Sequence, residues 1–173
     1  MKRIICTAFI ICSVTAITLA ETPWEAYLAF PTPENASRVN RIEYTPGAIS
    51  EKYGYWALDL GILRNQVLGG DREAFRLAYR LRQNADGGLL EELTMVLSRV
   101  IRTRPDFFLE EMSTLRPDRT ALEVILLMPG LEYVDRLEAR RYEILMRRKA
   151  LAAVSHKSLR AFRDTCLEIM KEP

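Results

Sequence analysis

The chain has 173 residues with 25 Lys and Arg, 23 Asp and Glu, one His and a net charge of +2. That length supports one domain with a real core. The near-neutral balance argues against a general nucleic-acid binder, which relies on a basic surface.

The first twenty residues read as a targeting segment. Lys2 and Arg3 precede an uncharged, mainly apolar run from Ile4 to Ala20, and small residues surround Ala20. This is the order of a secretory signal peptide, with Thr18 and Ala20 suited to the −3 and −1 positions and Glu21 as the new N-terminus. Thr7, Ser13, Thr15 and Thr18 dilute the run, which favours cleavage over a spanning anchor of about 20 apolar residues. Cys6 and Cys12 lack the Leu-small-small context that precedes a lipidated cysteine. The expectation is therefore an exported protein, periplasmic or secreted: residues 1–20 a cleaved signal, residues 21–173 one helical domain, and no integral membrane segment after cleavage. Without Lys2 and Arg3 the basic residues fall to 23, equal to the 23 acidic ones. Cys166 becomes the only cysteine, either a buried thiol or half of an intermolecular bridge; burial is expected, since free cysteine is among the most buried residue types.

The mature chain opens with Trp24, Tyr27 and Phe30 between Pro23 and Pro31, an aromatic group that docks on the domain as a cap or contacts a partner. Thr32-Pro33-Glu34 is a helix start, with a capping hydroxyl, proline at the first helical position and a carboxylate behind it. Asn35-Ala36-Ser37, a formal glycosylation sequon, falls inside that helix. "YTPG" at 44–47 closes the element, and a longer helix is predicted over about Ser50–Leu68, weakened by Gly54 and Gly61.

Next comes "LGGDREAFRLAYRLRQNADGG", residues 68–88. Ala74, Leu77, Ala78, Leu81 and Ala85 share one helix face, and Arg72, Arg76, Arg80 and Gln83 lie opposite as a face open to a partner. After Gly87-Gly88 a second stripe begins, with Leu89, Leu93, Val96 and Val100 flanked by Leu90, Leu97 and Ile101. So short a connection implies an antiparallel helix hairpin. "RTRPDFF" ends that helix and starts another at Pro105; "LRPDRT" introduces "ALEVILLM", which Pro129-Gly130 ends. Two last helices are predicted over Tyr133–Val154 and Ser155–Lys171, with Ser155 as N-cap, and with Glu132–Arg136 and Glu143–Arg147 as i,i+4 pairs on an exposed face.

The pattern is helical throughout. Starts near residues 71, 88, 105 and 118 are nearly regular, which resembles the antiparallel pairs of HEAT-type or tetratricopeptide arrays in architecture alone. The tetratricopeptide signature residues do not repeat. The fold class is all-α, a compact helical bundle or a short α-solenoid of antiparallel pairs.

Chemistry-bearing motifs fail one by one. Set on a calcium loop, Asn84, Asp86 and Gly87 take suitable positions, but Arg82 and Leu93 stand where the first and last carboxylates belong. The glycine pairs are followed by carboxylates, Asp71, Glu73, Glu91 and Glu92, which occupy the positive helix ends that a phosphate would need. His156 is the only histidine, and no Glu-x-x-His motif is present. Glu110-Glu111 reads as a solvated face rather than a metal pair, and Cys166 lies ten residues beyond His156, about 15 Å along one helix. No metal, cofactor or catalytic set is expected.

The remaining local excess of charge is basic: Arg136, Arg140 and Arg147 in one line, with Arg141 and Arg148 beside them and Lys149, Lys157, Arg160 and Arg163 nearby. Such a face suits an acidic protein, an anionic membrane or a wall polymer. The function expected is non-catalytic binding of another macromolecule, protein or envelope polymer, in the periplasm or cell envelope. The alternatives are an all-helical cell-wall glycan hydrolase, with Glu51 beside the aromatics of "YGYW" as its acid, and a binder of anionic surfaces.

Overall fold

A computed structural model describes residues 22–41, 56–130, 133 and 135–171. The expected signal segment, the "YTPG" turn and Glu51 lie outside these residues. Among the described residues the chain forms nine α-helices and no strand: α1 Pro23–Ala29, α2 Pro33–Asn40, α3 Trp56–Gly69, α4 Arg72–Gln83, α5 Gly87–Thr103, α6 Pro105–Leu115, α7 Arg119–Leu127, α8 Leu137–Ala153 and α9 Arg160–Ile169. The all-α class is as expected.

Local chemistry sets most of the starts. Thr22 and Thr32 accept from the amides of Glu25 and Asn35, each with proline at the head of the helix, and Glu25 completes a capping box. Asp71 and Asp118 accept from the amides of Ala74 at 2.9 Å and Ala121 at 2.8 Å. Each bond satisfies one of the amides that a helix N-terminus leaves unpaired. Between α3 and α4 the chain turns at Gly70, whose φ of +92° suits glycine. Gly87 also has a positive φ, +47°, and with Gly88 it forms the first two residues of α5, in whose first turn no acidic residue stands. They open a helix rather than close one, and Glu91-Glu92 lies too far along to complement its dipole.

Two predicted boundaries move. The penultimate helix begins at Leu137 rather than Tyr133. Ser155 caps nothing: a 3₁₀ turn over Lys157–Leu159 intervenes and α9 starts at Arg160. The chain leaves α8 in extended conformation at Val154, so the last helix starts later than the serine suggests.

α5 is the central helix. It packs against α3, α4, α6, α7 and α8, while α2 lies on α4 and α9 closes over α7 and α8. In a stacked array each unit touches only its neighbours, so a hub of this kind describes a bundle. Leu93, Val96, Leu97, Val100 and Ile101 supply its buried faces, and Leu60, Leu63, Val67, Phe75, Leu77, Leu81, Phe108 and Met112 pack into the same core. Phe75 meets Phe107 and Phe108 edge-on, at centroid distances of 5.4 and 6.3 Å. That T-shaped geometry is favourable beyond the area it buries.

Candidate functional site

The N-terminal aromatics divide. Trp24 and Tyr27 are buried and join the core, with ring centroids 5.7 Å apart, whereas Phe30 is 69 % exposed. Asn35, the sequon residue, donates through Nδ2 to the carbonyls of Ala26 and Phe30, so its amide holds the α1–α2 turn. The Tyr27 hydroxyl is, among the described residues, the one buried side-chain polar atom without a hydrogen-bond partner. Burial, with Asp71 nearby, pushes its pKa well above the ordinary tyrosine range.

On the arginine face of α4, Arg72 and Arg76 are ion-paired to neighbouring carboxylates while their side chains stay 53 % and 37 % exposed, and Gln83 is exposed. Arg72 bonds both Glu110 and Glu111 of α6, and its guanidinium lies 5.8 Å from the centroid of the Phe107 ring. Arg76 donates to Glu111 at 2.8 Å and to Glu73 at 2.7 Å. The bonds to Glu110 and Glu111 raise the Arg72 pKa. Glu111 is buried, which corrects the expected solvated Glu110-Glu111 face: two arginines from a neighbouring helix meet the carboxylate there. A buried carboxylate without such partners would be strongly unfavourable. Arg82 is also buried and donates to Thr94, and burial lowers its pKa.

The C-terminal basic line divides as well. Arg136, Arg140, Arg141 and Arg148 are exposed, but Arg147 is 1 % exposed. Its guanidinium donates to Glu143 and to the carbonyls of Leu126 and Met128 at the end of α7. Glu143 is buried too and takes a second bond from Arg102 of α5 at 2.9 Å. The expected exposed Glu143–Arg147 pair is therefore an interior contact, and Arg147 does not belong to any partner-binding face. A helix C-terminus leaves carbonyls unpaired, and here an arginine serves them.

Beside this contact lies a groove of about 680 Å³ between the end of α7, the first three turns of α8 and the end of α9. Leu127, Ile144 and Met170 line its apolar part, and Leu137 and Leu145 stand on its lip at 65 % and 44 % exposure. Arg140, Arg141, Arg148 and Lys171 ring it. Arg141 is paired with Glu138 at 3.0 Å and Lys171 with Glu168 at 2.6 Å. Arg140 and Arg148 form no ion pair among the described residues. The sequence singled out three of these arginines but not the leucines between them, because an apolar residue on a helix reads as core until its neighbours are known.

Other reactive groups stand apart. Cys166 is buried, and burial pushes its thiol up to about 12, so it is protonated at neutral pH. His156 is exposed, outside any α-helix, with Nδ1 2.9 Å from the Ser158 hydroxyl. Among the described residues no group of three or more His, Cys, Asp or Glu is placed to hold a metal ion. No described helix is long and apolar enough to cross a membrane. Comparison of the chain with protein families, curated proteins and solved structures finds no match.

Proposed function

We propose that this chain is an exported, non-catalytic helical protein that binds another macromolecule, protein or envelope polymer, in the periplasm or cell envelope. The observation that carries the reading is the groove beside α8: leucines that water should disfavour stay exposed, ringed by four cations. The order of Lys2-Arg3, apolar run and small residues supports export. Cys166 is buried with its thiol pushed up to about 12, so it does not serve as a thiolate nucleophile at neutral pH.

Export is tested by fractionating cells that carry the full chain and sequencing the N-terminus of the product, expected to begin at Glu21. Binding is tested by affinity capture on the mature chain from envelope extract, with saturable recovery expected. Robust hydrolase activity that disappears on changing a single carboxylate would replace this reading with the cell-wall hydrolase. A second reading, adhesion to an anionic surface, draws on exposed Leu137, Tyr142 and Leu145 among the arginines of α8.

A further inference from the structure

We propose that the α7–α8–α9 groove receives an acidic amphipathic helix of a partner protein; the inference rests on the macromolecule-binding reading and names the partner class. On α8 the groove-facing residues Leu137, Arg140, Arg141, Ile144, Leu145 and Arg148 fall at i, i+3, i+4, i+7, i+8 and i+11. This is one continuous seam about 16 Å long at 1.5 Å per residue, the length of three turns of a second helix. Apolar residues and arginines share it. A helix with leucine-like residues at i, i+3 or i+4, and i+7 would fill the apolar part, as in other helix-in-groove complexes.

The open charges define the flanks of that helix. Arg141 and Lys171 already have carboxylate partners, while Arg140 and Arg148 have none among the described residues. They are eight residues apart, about 12 Å along the axis. Two carboxylates seven or eight residues apart on the incoming helix would meet them, as flanking charges do across a coiled-coil seam. Shape selects the helix over other anionic partners. Met170, 5 % exposed, and half-buried Leu127 and Ile144 lie recessed between three helices, where a flat bilayer would reach only the lip. A small amphiphile needs most of its surface enclosed, and a groove whose lip residue Leu137 is 65 % exposed does not enclose it. A helix needs only one face covered.

The test uses the mature chain and a fluorescent synthetic peptide of about 18 residues, with leucines at the i, i+3, i+7 spacing and glutamates on both flanks. A second peptide replaces every glutamate by lysine. Anisotropy titrations should give saturable binding of the glutamate peptide and at least tenfold weaker binding of the lysine peptide. Arg140→Glu with Arg148→Glu should weaken the glutamate peptide tenfold or more and strengthen the lysine peptide; Leu137→Asp should weaken both. Lys157→Glu with Arg160→Glu, exposed charges outside the groove, should change neither. All these side chains are exposed, so melting temperatures should hold; if Leu137→Asp melts early, the charge exchange alone decides. Equal binding of the two peptides, or indifference to the arginine reversals, overturns the proposal. Binding to phosphatidylglycerol vesicles without peptide binding overturns it in favour of a membrane. Self-association abolished by Leu137→Asp overturns it in favour of a second copy. If the peptide fails while envelope extract still yields a saturable partner, the helix is the wrong occupant and the binding reading stands; if both fail, both fall.

Discussion

Arg140 and Arg147 are seven residues apart on α8 and point within about 20° of each other, yet one faces water and the other is 1 % exposed. The difference lies along the helix axis, not around it: the end of α7 covers α8 at Arg147, and the N-terminal part of α8 extends past that cover. Arg147→Ala would leave Glu143 buried with only Arg102, whose side chain is 48 % exposed, and would strip a partner from the carbonyls of Leu126 and Met128. Breaking a buried pair on one side typically costs about 3–5 kcal/mol. Arg102→Ala removes a half-exposed partner and should cost about 1 kcal/mol. Denaturant unfolding of the two variants should show this ranking, with unchanged slopes; equal midpoints would mean that the interior contact contributes little. The same case marks what a helical wheel can read. It assigns a direction to each charge but not the neighbour above it, so Glu111, Glu143 and Arg147 read as surface residues. Glu111 is met by arginines of another helix, and Glu143 and Arg147, besides each other, meet Arg102 of α5 and the carbonyls at the end of α7.

At the scale of the element, stops and starts were legible where one side chain creates them. Thr32, Asp71 and Asp118 act within three residues of themselves, and the starts of α2, α4 and α7 follow from that. The start of α9 was not legible, because a 3₁₀ turn after Val154 displaces it and Ser155 is no cap. Glycine gives a sharper contrast. Gly61 lies inside α3 with open space where a Cβ would go, so Gly61→Ala should stabilise the protein by about 0.5–1 kcal/mol through helix propensity. Gly70 has φ +92°, and a Cβ there would stand 2.8 Å from Nη1 of Arg104, whose Nε donates to the Leu68 carbonyl at the end of α3. Gly70→Ala must strain the backbone by about 1–2 kcal/mol and also displace that arginine. Thermal melts of the two single variants should move in opposite directions. A melt unchanged in Gly70→Ala would show that the turn relaxes freely.

For the whole molecule, the decisive fact is that the short N-terminal helices are part of the core around α4 and α5 rather than an appendage. Trp24, Tyr27, Ala36 and Val39 are buried in the same cluster as the hub residues, and Asn40 donates to the Glu73 carbonyl of α4 at 3.1 Å. Two helices of seven and eight residues are far too short to persist alone in water. Their order must come from packing on α4, and should vanish when α4 unfolds. The sequence anticipated docking of Trp24 and Tyr27 from the need to tie down a terminus. It could not show that Phe30 stays outside, since the turn formed by Asn35 with the Phe30 carbonyl is a contact between helices. Trp24 also supplies a probe. In a Trp56→Phe background, fluorescence reports Trp24 alone, and its thermal transition should superimpose on that of far-UV circular dichroism, as a cooperative single domain requires. An earlier fluorescence transition would identify α1 and α2 as a unit that opens before the bundle. In that case Ala36 and Val39, although buried, would add to the stability of a subglobal unit and not to that of the α5 core.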